Sequence, residues 1–256
     1  MIDLKKKRIE MIQDLHSHTY YSFCGVDRPD DVIEAAIRGG IEILGICDHN
    51  YGIGFQHPSV RFESEKERIH LYQRRVWQYY DHINALAEKY REKIRLICGI
   101  EICTVDLGYT LLPDDVDVSL FDYCLIENLD AADTKMGDLF EFAQRCGCKY
   151  KGIAHTDLPS YLRKNRIDLF AFFRRMAALN IFWELNVNYD SIHRYREYEY
   201  VKHFFKDPEL IDIVRQSGVC LSVGFDGHRV AEYKPERVVE TCRNLERLNI
   251  PMVEIV

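Results

Sequence analysis

Several features that would settle the class of this chain are missing. It has no run of about 18 apolar residues, which excludes a membrane-spanning helix from the expectation. The basic opening, Met1-Ile2-Asp3-Leu4-Lys5-Lys6-Lys7-Arg8, is not followed by an apolar core and so does not read as a secretion signal. No Pro-, Gly- or Ser-rich linker interrupts the sequence, so one domain is expected over residues 1–256. Positive charge is the scarcer sign. With 34 Lys and Arg against 41 Asp and Glu, the formal charge of −7 argues against long nucleic acid, whose phosphates are bound mainly by Lys and Arg. The nine cysteines are scattered and odd in number, and Cys146-Gly147-Cys148 is too tight for a zinc-knuckle site. Reduced thiols and a cytoplasmic location follow.

What is present is a repeated unit. Short apolar runs with strand character occupy residues 9–15, 41–47, 94–102, 121–126, 150–154, 181–188, 219–224 and 252–256. Between them lie helical patterns. One starts within Arg28-Pro29-Asp30-Asp31, with Asp30 as its expected cap, and ends at Gly39-Gly40. A long one covers about 65–91, with Val76, Tyr79, Tyr80, Ile83, Leu86, Ala87 and Tyr90 as its apolar stripe. Others fall near 134–146, 166–179, 208–217 and 235–247, while residues 51–64, holding His57-Pro58, read as a loop. Strand, polar strand end, loop and helix in alternation is the signature of a parallel α/β barrel, a (β/α)7 or (β/α)8 arrangement. A doubly wound open sheet is the alternative.

The polar residues at those strand ends carry the chemistry. In Asp14-Leu15-His16-Ser17-His18-Thr19, His16 and His18 are two apart, so a regular strand would turn both imidazoles to one face. By itself such a pair is more often an ordinary surface or core feature. However, Asp48-His49, Glu101 in Gly99-Ile100-Glu101, His155-Thr156-Asp157 and Asp226-Gly227-His228 also fall at strand ends. Five of ten histidines are thus gathered there with acids, and Glu101 would be costly to bury unless paired or bound to a cation. Mixed imidazole and carboxylate ligands suit Zn, Mn or Fe rather than Ca or Mg alone. Asp14 and Asp48, each beside a candidate ligand, are placed to orient an imidazole. His70 and His82, within the long helix, read as solvent-facing or stripe-edge residues rather than ligands.

These elements, His16-Ser17-His18-Thr19, Asp48-His49, Gly99-Ile100-Glu101, Ala154-His155-Thr156-Asp157 and Gly224-Phe225-Asp226-Gly227-His228, resemble the PHP (polymerase and histidinol phosphatase) superfamily of metal-dependent phosphoesterases in kind and order. The resemblance implies a distorted, TIM-barrel-like (β/α)7 fold with two, or three, divalent transition metals at its C-terminal mouth. It places His16, His18, Glu101 and Asp226 on one ion. Glu101 would bridge to a second ion held by His155, and His49 and His228 would serve a third. Two positions depart from the pattern. Cys24 stands where many members have a histidine, and Leu129 stands where the fourth motif usually ends in one. Cys24, Glu127 and Asp130 are the available replacements. Asn84 to Ile94, and Glu184-Leu185-Asn186-Val187-Asn188, are similar to the histidinol-phosphatase branch.

The activity this implies is hydrolysis of a small phosphate monoester, a phosphorylated metabolite, by attack of a metal-bound hydroxide on phosphorus. Asp157 and His228 are candidates to move the proton to the leaving oxygen. Arg229 ranks with Arg194 among the loop cations able to clamp phosphate, ahead of Arg163, Lys164 and Arg166. The aromatic stretches Tyr20-Tyr21, Tyr51 to Phe55 and Tyr189 to Tyr200 are candidates to line the pocket. Two other readings stand beside this one. The first is a phosphodiesterase or exonuclease acting on short nucleotides. The second is a degenerate, non-catalytic binding or regulatory protein, motivated by Cys24 and Leu129.

Overall fold

Seven parallel strands pair in sequential order, β1-β2-β3-β4-β5-β6-β7, in a computed structural model that describes residues 11–56 and 59–256. They are β1 (Gln13–Ser17), β2 (Ile43–Ile46), β3 (Arg95–Cys103), β4 (Tyr123–Glu127), β5 (Tyr150–Ile153), β6 (Ile181–Asn186) and β7 (Leu221–Gly224). The ring is nearly closed. Ser17 bridges Gly227 in parallel, the Asp226 amide donates to the His16 carbonyl (2.7 Å), and the His18 amide donates to the Gly227 carbonyl (2.8 Å). The expected (β/α)7 barrel is therefore the observed fold, and the open-sheet alternative falls. His57, Pro58 and the start of the first expected strand lie outside the described residues.

Side-chain alternation sorts each strand into an outer and an inner face. On the outer face, Ile46, Ile100, Ile102, Ile126, Trp183, Leu185 and Val223 are buried beneath the helices. These are α1 (Pro29–Arg38), α2 (Asn50–Ile53), α3 (Glu65–Tyr90), α4 (Leu139–Arg145), α5 (Leu158–Lys164), α6 (Leu169–Ala178), α7 (Glu199–Phe204), α8 (Pro208–Ser217) and α9 (Pro235–Arg247). Helix α3 buries Tyr72, Val76, Tyr79, Ile83, Leu86 and Tyr90 along one stripe. Burying such a side chain stabilises the fold by about 1.5–3 kcal/mol relative to leaving it in water. On the inner face, Leu15, Cys47, Ile97, Tyr123, Leu125, Ala154 and Phe182 fill the lower barrel. The upper inner positions carry the polar residues.

The structure corrects the tail. Residues 252–256 do not form a strand; one bridge, Leu221 to Met252, is all that pairs there. Instead Val253 and Ile255 join the inner cluster and stopper the barrel at the N-terminal ends of its strands. Gln13 Nε2 donates to the Val253 carbonyl (3.3 Å), and Arg95 hydrogen-bonds the Ile255 carbonyl. Three short helices, α2, α5 and α7, add to those expected from the sequence.

Candidate metal centre

Strand ends bring every sequence-predicted ligand to the upper mouth of the barrel. Strand β1 delivers His16 and His18, the β2 end His49, β3 Glu101, the β5 end His155, and the β7 end Asp226 and His228. In β1 the inward Leu15 is followed at once by an inward His16, which a regular strand cannot do. A register shift between Asp14 and Ser17 accompanies this re-aiming, as bulges beside functional sites often do. His155 and Asp226 have φ of 25° and 56°, in the left-handed region that costs a non-glycine residue energy. Gly224 is obligatory at this level, because a Cβ there would lie 2.1 Å from Glu184 Oε1 and 2.6 Å from His16 Cβ.

Glu101 is the hub. It is fully buried, and neither carboxylate oxygen has an aligned hydrogen-bond donor. Four imidazole nitrogens nevertheless ring it: His49 Nδ1 at 2.9 Å, His16 Nε2 at 3.2 Å, and His18 Nε2 and His155 Nε2 at 3.4 Å. Asp226 Oδ1 adds contacts of 3.2 Å to His18 Nε2 and 3.5 Å to His16 Nε2. Four donors each about 2.1 Å from one tetrahedral ion lie about 3.4 Å apart, so this is the spacing of ligands around a shared metal.

The hydrogen-bond network makes the case stronger. His16 Nδ1 is held by Glu184 Oε1 at 2.7 Å. His18 Nδ1 is 3.1 Å from Ser22 Oγ, whose own hydrogen goes to Asp48 Oδ1 at 2.7 Å. Both Nδ1 atoms are therefore donors, which leaves lone pairs on both Nε2 atoms. Those two lone pairs face each other at 3.2 Å. Only a proton or a cation between them makes that arrangement favourable. Without a metal, protons serve. Burial alone would lower His16, but Glu184, Asp226 and Glu101 hold it well above the usual histidine range. His18 is pushed the other way, to about 3, by burial and by His228. Burial would raise Glu101, yet His16 and His49 hold it well below the usual carboxylate range. These residues fit a divalent metal ion.

The two departures from the family pattern are answered by position. Tyr123, Leu125 and Glu127 share the inner face of β4, and Glu127 Oε1 lies 3.5 Å from His49 Nδ1, with Oε2 3.9 Å from His155 Nε2. His49, Glu101 and Glu127 thus form one metal-sized group. Leu129 is buried in the outer core and Asp130 is exposed. His49, which the resemblance assigns to a third ion, sits as close to the second position, while also grouping with His18 and His228. The Cys24 thiol touches His49 and His228; burial would raise it, but those two imidazoles bring it below the usual thiol range.

Other expectations are redirected. Asp157 caps α5, accepting from the Ser160 amide (3.0 Å), and makes no hydrogen bond or ion pair with the centre among the described residues. Arg229 is exposed, as are Arg163, Lys164, Arg166 and Arg194, and none pairs with a residue of the centre. An exposed guanidinium or ammonium keeps its hydration. Asp14 holds backbone rather than an imidazole, accepting from the amides of Phe225 (2.9 Å) and His16 (3.2 Å) and from the Tyr233 hydroxyl (2.7 Å). Asp48 acts through Ser22 and Thr19. Of the aromatic stretches, Tyr51 stacks on His49 (4.9 Å) and Tyr198 on His155 (6.1 Å), so both border the mouth. Tyr21 instead packs on Tyr79 and bonds His82.

Three residues beside the site were named in the sequence only within longer stretches, not as candidate ligands or catalytic groups. Glu184 spans the barrel, gripping His16 with one oxygen and the His155 amide (2.7 Å) with the other. Asp190 and His193 follow on the loop after β6, with His193 Nε2 3.3 Å from Asp226 Oδ2. The signal was available for two of them. Glu184, Asn186, Asn188 and Asp190 are polar at every second position, the period of one strand face, and all four are buried.

Comparison with known proteins agrees with the barrel fold. A family model described as the PHP domain matches residues 14–230. Among solved structures, the chain is similar to histidinol phosphate phosphatase from Lactococcus lactis, complexed with zinc, L-histidinol and phosphate. The identity is 18%, coverage is 95% of each chain, and the TM-score is 0.54. An archaeal ribonuclease P structure with mature tRNA holds a chain that is 14% identical, with a TM-score of 0.44, covering 95% of this chain and 96% of that one. No curated protein sequence matches. Among the described residues, no helix is long and apolar enough to cross a membrane.

Proposed function

The chain belongs to the PHP domain family, and from that membership and the centre's geometry we propose that it is a metal-dependent phosphoesterase acting on a small phosphate monoester. One observation carries the reading: a fully buried Glu101 whose two unbonded oxygens are ringed by four imidazole nitrogens at 2.9–3.4 Å. Evicting that carboxylate from water costs several kcal/mol unless cations repay it. A purely structural barrel has no use for such an expense.

His16, His18, Glu101 and Asp226 would hold one ion, and Glu101, Glu127, His155 and His49 a second. Bound divalent ions supply an activated water and positive charge for the phosphoryl oxygens at neutral pH. The chain's own residues do the rest. Glu184, Ser22 and Asp48 fix the imidazole tautomers, so the ligands need not reorganise. Tyr51 and Tyr198 flank the mouth with flat surfaces for the organic part of an ester. Glu127 in place of the family's missing imidazole argues for a working second site over the degenerate alternative, because it restores a ligand rather than leaving a gap.

The test combines metal analysis of the purified chain with phosphate release from a panel of monoesters that includes histidinol phosphate. It is repeated after chelation and after return of Mn, Zn or Fe. Two or more ions per chain and chelator-sensitive phosphate release are expected. Fewer than two ions, with no release from any ester after metal return, would refute the reading.

A further inference from the structure

Three cysteines gather in the outer core of the barrel, away from the metal centre. Tyr123 and Leu125 face the barrel interior, so Cys124, between them on β4, faces the helices, where it is fully buried. Cys146 is the C-cap of α4, its amide donating to the Phe142 carbonyl (3.1 Å). The chain then turns at Gly147, with φ of 72°, and sends Cys148 back into the same core. The Cys124 thiol touches the thiols of both Cys146 and Cys148, and all three are free.

The three are not equivalent. Cys148 Sγ is committed to the Val118 carbonyl, to which it donates at 3.2 Å. Cys146 is the member that solvent can reach. It lines a surface groove of about 470 Å³ together with Thr104, Lys135, Phe142 and Arg145, and neither Cys124 nor Cys148 is on that wall. The Cys124 thiol beside it brings Cys146 below the usual thiol range, against the effect of burial, and the Lys151 and Arg145 charges add to this. Cys124 is held well above that range by its two sulfur neighbours and then by burial. One sulfur is thus disposed to attack, beside another that keeps its proton.

We propose that Cys146 and Cys124 form a thiol modification site, at which a peroxide entering the groove oxidises Cys146 and Cys124 closes a disulfide onto it. The Cys146 thiolate attacks one peroxide oxygen and the O–O bond breaks. The second oxygen leaves as hydroxide, which takes up the proton that the thiol gave off and becomes water. Cys146 is then a sulfenic acid. The Cys124 sulfur attacks the Cys146 sulfur, the S–O bond breaks, and the oxygen departs with the Cys124 proton as a second water. The two thiols give up an electron pair, and both peroxide oxygens end as water. The bridge fastens the end of α4 to β4, the strand that ends in Glu127. This chemistry needs neither the metal centre nor its substrate.

The purified full chain, reduced and then freed of reductant, is treated with hydrogen peroxide, and its remaining thiols are alkylated. A non-reducing digest is read by mass spectrometry, with fragmentation to place any bridge. Of the nine thiols, those of Cys124 and Cys146 are expected to escape alkylation as a joined pair and to return with dithiothreitol. Cys148→Ser keeps that pair. Cys124→Ser stops at the sulfenic acid, which dimedone tags at Cys146. A wild-type digest with no joined Cys124–Cys146 pair overturns the proposal, whether the half-buried Cys24 and Cys220 are oxidised instead or Cys146 bridges to Cys148. That result decides the matter even where a serine variant fails to fold.

Discussion

Replacing Glu101 with Gln isolates what the hub carboxylate does, because the substitution keeps shape and removes charge. In the metal-free chain Glu101 faces His16, His18, His49 and His155 at 2.9–3.4 Å, and His16 and His49 are both held well above the usual histidine range. Removing one member of a buried charged pair costs about 3–5 kcal/mol, since the partner stays buried and uncompensated. For a chain of this size 1 kcal/mol moves Tm by about 2–4 °C, so the metal-free variant is expected to melt about 6–20 °C below wild type. The metal effect is larger. Losing even an outer partner of a ligand costs about 10- to 100-fold in affinity, and Glu101 offers an oxygen to each of two ligand groups, so affinity is expected to fall by more than about 100-fold. Equilibrium dialysis against buffered manganese with metal analysis, and calorimetric melting in chelator, measure the two effects. A variant that keeps two ions and the wild-type Tm would refute the claim that these oxygens bridge cations and neutralise imidazoles.

Glu184→Gln weakens the grip on His16 Nδ1 and should lower metal affinity about 10- to 100-fold with little loss of fold, measured by the same dialysis. Asp157→Ala removes the cap of α5 and should cost about 0.5–2 kcal/mol in urea unfolding with kcat unchanged; a collapse of kcat would restore Asp157 to the chemistry. Burial would lower His155 and His228, but Glu101 lifts the first to about 9, and Asp190 with Cys24 lifts the second to about 10. Both therefore hold protons at pH 7 in the metal-free chain. Their contribution to stability is complete below about pH 6.5 and fades as pH rises through about 9 and 10. Metal binding must displace those protons, so affinity should rise with pH across that window, and calorimetry in buffers of different ionisation enthalpy should show proton release. Binding without proton release at pH 7 would contradict the proposed ligand set.

How much of this was legible in the sequence depends on which force sets each feature. The barrel was readable, and so was the gathering of His16, His18, His49, Glu101, His155, Asp226 and His228, because strand ends in a parallel barrel converge at one mouth. The expected last strand failed for a tertiary reason: Val253 and Ile255 gain more by plugging the barrel bottom than by extending the sheet, whose β1 and β7 already meet. Arg229 is exposed and Asp157 caps α5, because nearness in sequence to a ligand says nothing about which way a loop or a helix cap turns its side chain. His193 lies on a loop after the last regular strand position, and nothing periodic marks it. Glu127 is the instructive case. Alignment to a family pattern asks what replaces the histidine at position 129, and finds leucine. The pleat asks which residues share a face with Tyr123 and Leu125, and the answer two positions on is Glu127, a carboxylate beside His49 and His155. Side-chain period constrains where a ligand can sit more tightly than the identity of the residue at an aligned position, so a centre can trade an imidazole for a carboxylate without moving its strand.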